Sequence, residues 1–199
     1  MHTKTENVLA SLDEVISRLK LNGTMSIVEK KHEAEGVRSV AIYSECEQFR
    51  YTLTRTWNRP VRRRVAFIGL NPSTATEIQN DPTVARCIQF ARDWDFDEMT
   101  MLNAFAFRAT DPKVMKRHDR PVGIDNDRYI QKVVQRSDLI ICCWGTHATH
   151  LDRSRELLEK LEKWKCPLHC LKLTKAGLPG HPLYLKRSSV PLQLASSSQ

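Results

Sequence analysis

The chain is poor in glycine, with seven among 199 residues, and carries nine prolines, which excludes collagen-like and low-complexity chains. No apolar run approaches the roughly 20 residues that a membrane-crossing helix needs. The first twenty residues, MHTKTENVLASLDEVISRLK, carry acids and lack a continuous apolar core. A signal peptide is therefore not expected, and a cytoplasmic protein is. No Walker loop and no G-x-G-x-x-G is present, so nucleotide binding by those routes has no support. The six cysteines (46, 87, 142, 143, 166 and 170) never take the C-x2-C spacing of a zinc site. In a cytoplasmic chain they read as free, mostly buried thiols, with the adjacent Cys142 and Cys143 on opposite faces of one strand.

What is there is ordinary for a globular protein of 23.0 kDa: 41% hydrophobic and 27% charged residues. The length suits one domain with a sizeable core. The charge is less ordinary. Thirty-one Lys and Arg against 23 Asp and Glu leave a net charge of +8. That balance favours a polyanionic partner, nucleic acid first, and no membrane is expected, although solubility alone also explains basic surfaces.

Along the chain, apolar side chains recur at helical spacing from Val8 to Leu19, and Asn22-Gly23 ends that amphipathic helix within residues 1–24. Two runs of β-formers, VRSVAIYSE and FRYTLTRTW, predict a hairpin or an antiparallel edge. From residue 64 the pattern changes. RVAFIGL, MTMLNAFAF, DLIICCW and PLHCLKL are short continuous apolar runs, the mark of strands buried on both faces. Helical stretches lie between them, VARCIQFARDW behind Asp81-Pro82-Thr83, DNDRYIQKVVQRS, and a long one over residues 148–164. Alternation of this kind predicts a three-layer α/β domain over residues 25–190, with a central, mainly parallel four-stranded sheet. The N-terminal helix and the hairpin are additions to it, and residues 191–199 read as a frayed tail.

In such sheets ligands bind at the C-terminal ends of the strands. Each predicted strand exits into polar residues broken by Gly or Pro: GLNPSTA, LNAFAFRATDP, WGTHA and LTKAGLPGHPLYLKR. Asn71-Pro72 reads either as turn chemistry or as a ligand loop. Asn103, amid apolar neighbours, either bridges backbone or reads an amide edge with its donor and acceptor. His147 either caps the next helix or faces a ligand. With His150 three residues on, it would need one further ligand to hold a metal, and no metal or cofactor is expected. His181-Pro182, in a Gly/Pro-rich loop, suits donation to a developing anion. Asp81 either caps a helix or supplies a carboxylate. Tyr51 and Trp57 either fill the space beneath the hairpin or stack on a base.

GLNPSTA, NDPTVARCIQFA, NAFAFRATDP, DNDRYI, WGTHA and LTKAGLPGHPLYL together resemble a bacterial and phage family catalogued as domain of unknown function 1643, over residues 46 to 187. That resemblance implies no activity. More distantly, the order of motifs resembles the uracil-DNA glycosylase superfamily. Gly69-Leu70-Asn71-Pro72 is similar to its water-activating loop, Met101-Leu102-Asn103 to the Leu-Leu-Asn before its base pocket, Trp144-Gly145-Thr146-His147-Ala148 to its Trp-Gly-x-His-Ala, and His181-Pro182-Leu183 to its intercalating loop.

This second resemblance implies a hydrolase that flips a base out of DNA and cuts its N-glycosidic bond. Asn71 would position water, Asn103 would read the base and His181 would stabilise its anion. Asp81 is the candidate for the carboxylate missing from the first motif. Substrate contacts are expected from Pro72, Ser73, Asn103, Phe105, Arg108, Trp144, His147 and Tyr184, and phosphate contacts from Arg55, Lys175, Lys186 and Arg187. The altered motifs point to a modified or unusual base rather than plain uracil. Two rival readings use the same residues: a module that reads a modified base without cutting, and a hydrolase or transferase acting on a free nucleoside or nucleotide.

Overall fold

The computed structural model describes residues 26–194. The helix expected near the N-terminus and residues 195–199 lie outside them. In chain order the elements are β1 (Ile27–Ala34), β2 (Val37–Ser44), β3 (Arg50–Thr56), β4 (Arg64–Gly69), α1 (Pro82–Asp93), β5 (Glu98–Asn103), α2 (Pro112–Arg117), α3 (Asn126–Val134), β6 (Leu139–Cys142), α4 (Arg153–Lys163), β7 (Leu168–Cys170) and β8 (Leu192–Gln193). Among the described residues, no helix is long and apolar enough to cross a membrane.

The sheet has eight strands in the order β1-β2-β3-β5-β4-β6-β7-β8. Its middle, β5-β4-β6-β7, is parallel. β2 and β3 form the expected antiparallel hairpin, and the expected four strands become eight because β3 also pairs antiparallel with β5, Leu53 opposite Met101. The reason is burial. Six of the seven β3 residues are buried, so this strand belongs inside a sheet and not on a loose ribbon. β1, IVEKKHEA, gives no strand signal because charges fill it, yet it pairs with β2 along its whole length. The tail expected to fray contributes Leu192–Gln193, held against β7 by two residue pairs.

Each face of the sheet carries its own core. On one face α1 lays Val84, Cys87, Phe90 and Ala91 over Val65, Phe67, Met99 and Cys143. On the other, α3 and α4 lay Ile130, Val133, Leu157 and Leu161 over Ala66, Ile68, Leu102 and Cys142. Cys142 and Cys143 thus face opposite cores, as strand alternation requires. Tyr51 is buried and stacks on Tyr129 at 5.1 Å, which makes it a packing residue. Trp57, half-buried against the α1-side core, lies under the Arg92 guanidinium.

The helix expected over residues 148–164 begins only at Arg153. Before it, residues 146–152 form a 3-10 turn, and Leu151 and Asp152 take left-handed backbone angles. Nothing in a Leu-Asp pair announces that break. Gly145, at φ +69° and ψ −170°, occupies a region essentially reserved for glycine. Its N–H donates to Pro179 O at 2.8 Å, which ties the β6 exit to the loop after β7. Gly145→Ala meets open space at Cβ, so only backbone strain opposes it. A loss of about 1–3 kcal/mol in denaturant unfolding is expected. An unchanged midpoint would show that the turn relaxes freely.

Candidate functional site

At the C-terminal ends of β4, β5 and β6 lies a cleft of about 550 Å³. The loop after β4 brings Asn71 and Ser73 to it, β5 ends in it with Asn103, and the β6 exit adds Trp144, Gly145 and His147. His181 and Tyr184 close it from the chain's last loop, and Asp81 and Thr83 from the start of α1.

Asn103 is the unusual residue. It is 1% exposed, and neither its amide nitrogen nor its amide oxygen has a protein partner. A buried amide with both ends unpaired costs about 1–3 kcal/mol for each unmet group, so such groups are rare without a ligand or water. Gly69 makes room for it: a Cβ there would lie 3.2 Å from Asn103 Oδ1 and 2.5 Å from the Met101 terminal carbon. Behind Asn103, Asn126 Nδ2 donates to the carbonyls of Asn103 and Ala104 at 2.9 and 3.2 Å.

Asn71 is tied to its own surroundings. Its Nδ2 donates to Ala109 O at 2.7 Å and to Pro72 O at 3.1 Å, stitching the β4 and β5 exits together. That leaves the side-chain oxygen for a ligand. Asp81 caps α1, accepting from Val84 N–H at 2.8 Å, and lines the cleft as well, so the two readings of its role are compatible. His181 Nδ1 accepts from Leu183 N–H at 3.4 Å, which leaves the proton of the neutral ring on Nε2. Burial lowers the His181 pKa from its ordinary value, against the opposing pull of Asp81.

The family described as "Protein of unknown function (DUF1643)" matches residues 50–183. The chain belongs to this family. The DUF1643 match starts at Arg50 and ends just short of Tyr184, so it takes in every other residue that lines the cleft. No curated protein matches the chain.

Several expected contacts of this DUF1643 chain fall elsewhere. Phe105 is fully buried in the core on the far face of the sheet; it lies past the end of β5, where the chain bends and the strand's alternation no longer holds. Pro72 is buried beside the cleft without lining it. Arg108 lines an adjoining depression, its Nη1 donating to Glu47 O. Arg55 is buried and spends its guanidinium on Thr76 O, Gln79 O and Asn80 Oδ1, bracing the loop before α1 instead of meeting phosphate. Arg187 is engaged by Asp93 through two bonds of 2.7 Å. Lys175 and Lys186 are exposed. Trp144 is in the cleft wall, its indole N–H committed to Ser154 at 2.9 Å. His147 meets Lys116 at 3.3 Å, and Tyr184 is 86% exposed. Among the described residues no group of three or more His, Cys, Asp or Glu side chains is placed to hold a metal ion.

One cleft residue carries no sequence signal. Arg50 is 1% exposed, lines the cleft, and has an unpartnered Nε, while its Nη1 donates to Ala75 O. Burial pushes its pKa down to about 10, so it remains charged at neutral pH. In the sequence it is merely the first charge of a β-run.

Proposed function

We propose that this protein hydrolyses the N-glycosidic bond of a modified or unusual base in DNA. The observation that carries the reading is Asn103, whose buried amide offers one donor and one acceptor to the cleft with no protein partner for either. A base edge supplies the complement. The motif order, the cleft at the strand ends and the basic surface support the same reading.

In this scheme the base leaves the stack and seats its edge on Asn103. The side-chain oxygen of Asn71 orients a water toward the anomeric carbon. The water oxygen forms the new bond to that carbon as the bond to the base nitrogen breaks. The electron pair leaves with the base, and Asp81 takes the water's proton. Nε2–H of His181 donates to the developing base anion, which is then protonated from solvent. Because burial keeps His181 neutral at pH 7, its role needs no added proton. Release is then expected to hold level, not to fall, as pH rises from about 6.5 to 8.

The test is base release, read by mass spectrometry, from DNAs carrying natural, deaminated and hypermodified bases. A base released by the intact protein and lost in both Asn71→Ala and His181→Ala is the expected result. Identical silence from all three overturns it. If DNA is nonetheless retained through Asn103, the site is a reader that does not cut.

A further inference from the structure

The inner end of the cleft holds a buried cation that the glycosidic scheme leaves unused. Arg50 is one of the largest fully buried side chains of the protein, and among the described residues it forms no ion pair. A buried charge without a paired counter-charge is costly, and is kept where something else completes it. Tyr43 and Asp81 favour its charge and Arg108 and Arg55 oppose it, and none of them is within ion-pair distance. The N-terminus of α1, a helix of 12 residues, lines the same cleft through Thr83 and Val84, and Asp81, its cap, attracts the Arg50 guanidinium. Pro82 has no N–H and Asp81 already takes that of Val84, so Thr83 presents the first uncommitted backbone donor, beside its own hydroxyl. Helix N-termini carry partial positive charge and favour anions.

We propose that Arg50 and the first turn of α1 form a phosphate-binding corner inside the cleft, so that the ligand is recognised as a nucleotide and not as a bare base or nucleoside. The inference rests on the base-reading cleft proposed above and names the second group that the cleft holds. Asp81 stands at the edge of the corner, and it sets the selectivity. An anion there must bring enough negative charge and enough acceptors to satisfy Arg50 Nε–H and Thr83 together, which a phosphate does and a single chloride does not. The phosphate belongs either to a flipped nucleotide within a strand or to a free nucleotide.

Isothermal titration of the intact protein tests this with inorganic phosphate, a nucleoside, its 5′-monophosphate and a short single-stranded oligonucleotide. The monophosphate is expected to bind about tenfold to a hundredfold more tightly than the nucleoside. Inorganic phosphate should compete with it. Arg50→Gln should erase the preference and Arg50→Lys should keep part of it.

Arg50 also holds the Ala75 carbonyl, so Arg50→Gln risks the fold. Thr83→Glu is the second variant: it keeps a residue suited to a first helical turn and fills the corner with a carboxylate, and it too should erase the preference. Equal affinity for nucleoside and monophosphate in the intact protein, or a preference that survives in Thr83→Glu, overturns the corner. Tight binding of the monophosphate with weak binding of the oligonucleotide assigns the phosphate to a free nucleotide, and the reverse assigns it to a strand. Failure of base release with the phosphate preference intact removes the glycosidic reading alone. Base release without the preference removes the corner alone.

Discussion

Asn103→Leu is expected to raise the melting temperature and to remove base release. Leucine has the same branched skeleton as asparagine with bulkier methyl ends, so the substitution leaves no cavity. It deletes a donor and an acceptor that are buried without partners, and so relieves about 1–3 kcal/mol for each unmet group. For a chain of this size each kcal/mol moves the midpoint by about 2–4 °C. The same change strips the cleft of the only side chain whose two polar ends are both unclaimed among the described residues. Sites that hydrogen-bond their substrate lose heavily when the bonds cannot form, and a fall of about 10²–10³ in kcat/KM is the expected scale. Differential scanning calorimetry beside a release assay reads both. A purely structural Asn103 would give the opposite pair, a lower midpoint with activity falling only in step with the folded fraction.

Arg153→Met is expected to be the most damaging single change to the fold. Arg153 is wholly buried at the start of α4. Its Nε donates to Ala104 O at 2.8 Å, directly behind the end of β5, and its two other nitrogens engage Asp127 and Glu156. Lys160 completes the cluster from the next turn of α4 by pairing with the same two acids. Removing Arg153 leaves Ala104 O without its donor and the partly exposed Asp127 and Glu156 to Lys160 alone, and bonds to a charged group are worth about 1.5–3 kcal/mol each.

The cluster also sets an acid limit. Burial alone would raise the Asp127 carboxyl, yet Arg153 and Lys160 outweigh it and hold it below its ordinary value. A carboxyl lowered in the folded state stabilises the protein above its unfolded pKa of about 4, and this contribution is lost as pH falls through the lower folded value. Melting temperature followed from pH 6 downward should therefore drop steeply below about pH 4 in the intact protein and less steeply in Arg153→Met. Parallel curves would remove Arg153 from the account.

The sequence reading succeeded where burial leaves a continuous apolar run. RVAFIGL, MTMLNAFAF and DLIICCW are strands, and their exits meet in one cleft, because a strand covered on both faces has no polar position to blur the pattern. Asp81-Pro82 marked the start of α1 because a cap and a proline at the first turn are local chemistry. What escaped depends on distance. β1 is charged and exposed, and only its pairing with β2 makes it a strand. The break at Leu151 and Asp152 lies between two tertiary anchors that sequence does not show, the link from Gly145 to Pro179 and the seating of Arg153. Arg55 and Arg187 read as rim charges because sequence shows a charge and not its partner. Arg50 is the clearest case: that a strand-initial arginine ends in a closed cleft follows only from β3 lying beside β5.

That last adjacency has a kinetic meaning. No crossover helix ties β3 to β5: β3 must find β5 past β4 and α1, a loop closure separate from those that build the parallel core. The Asn103 floor can form with the parallel core, but the charge at its inner end arrives only when the antiparallel half docks. A chain halted before that step has a pocket without its cation, so refolding experiments should see the fold's helical signal return ahead of any affinity for anions.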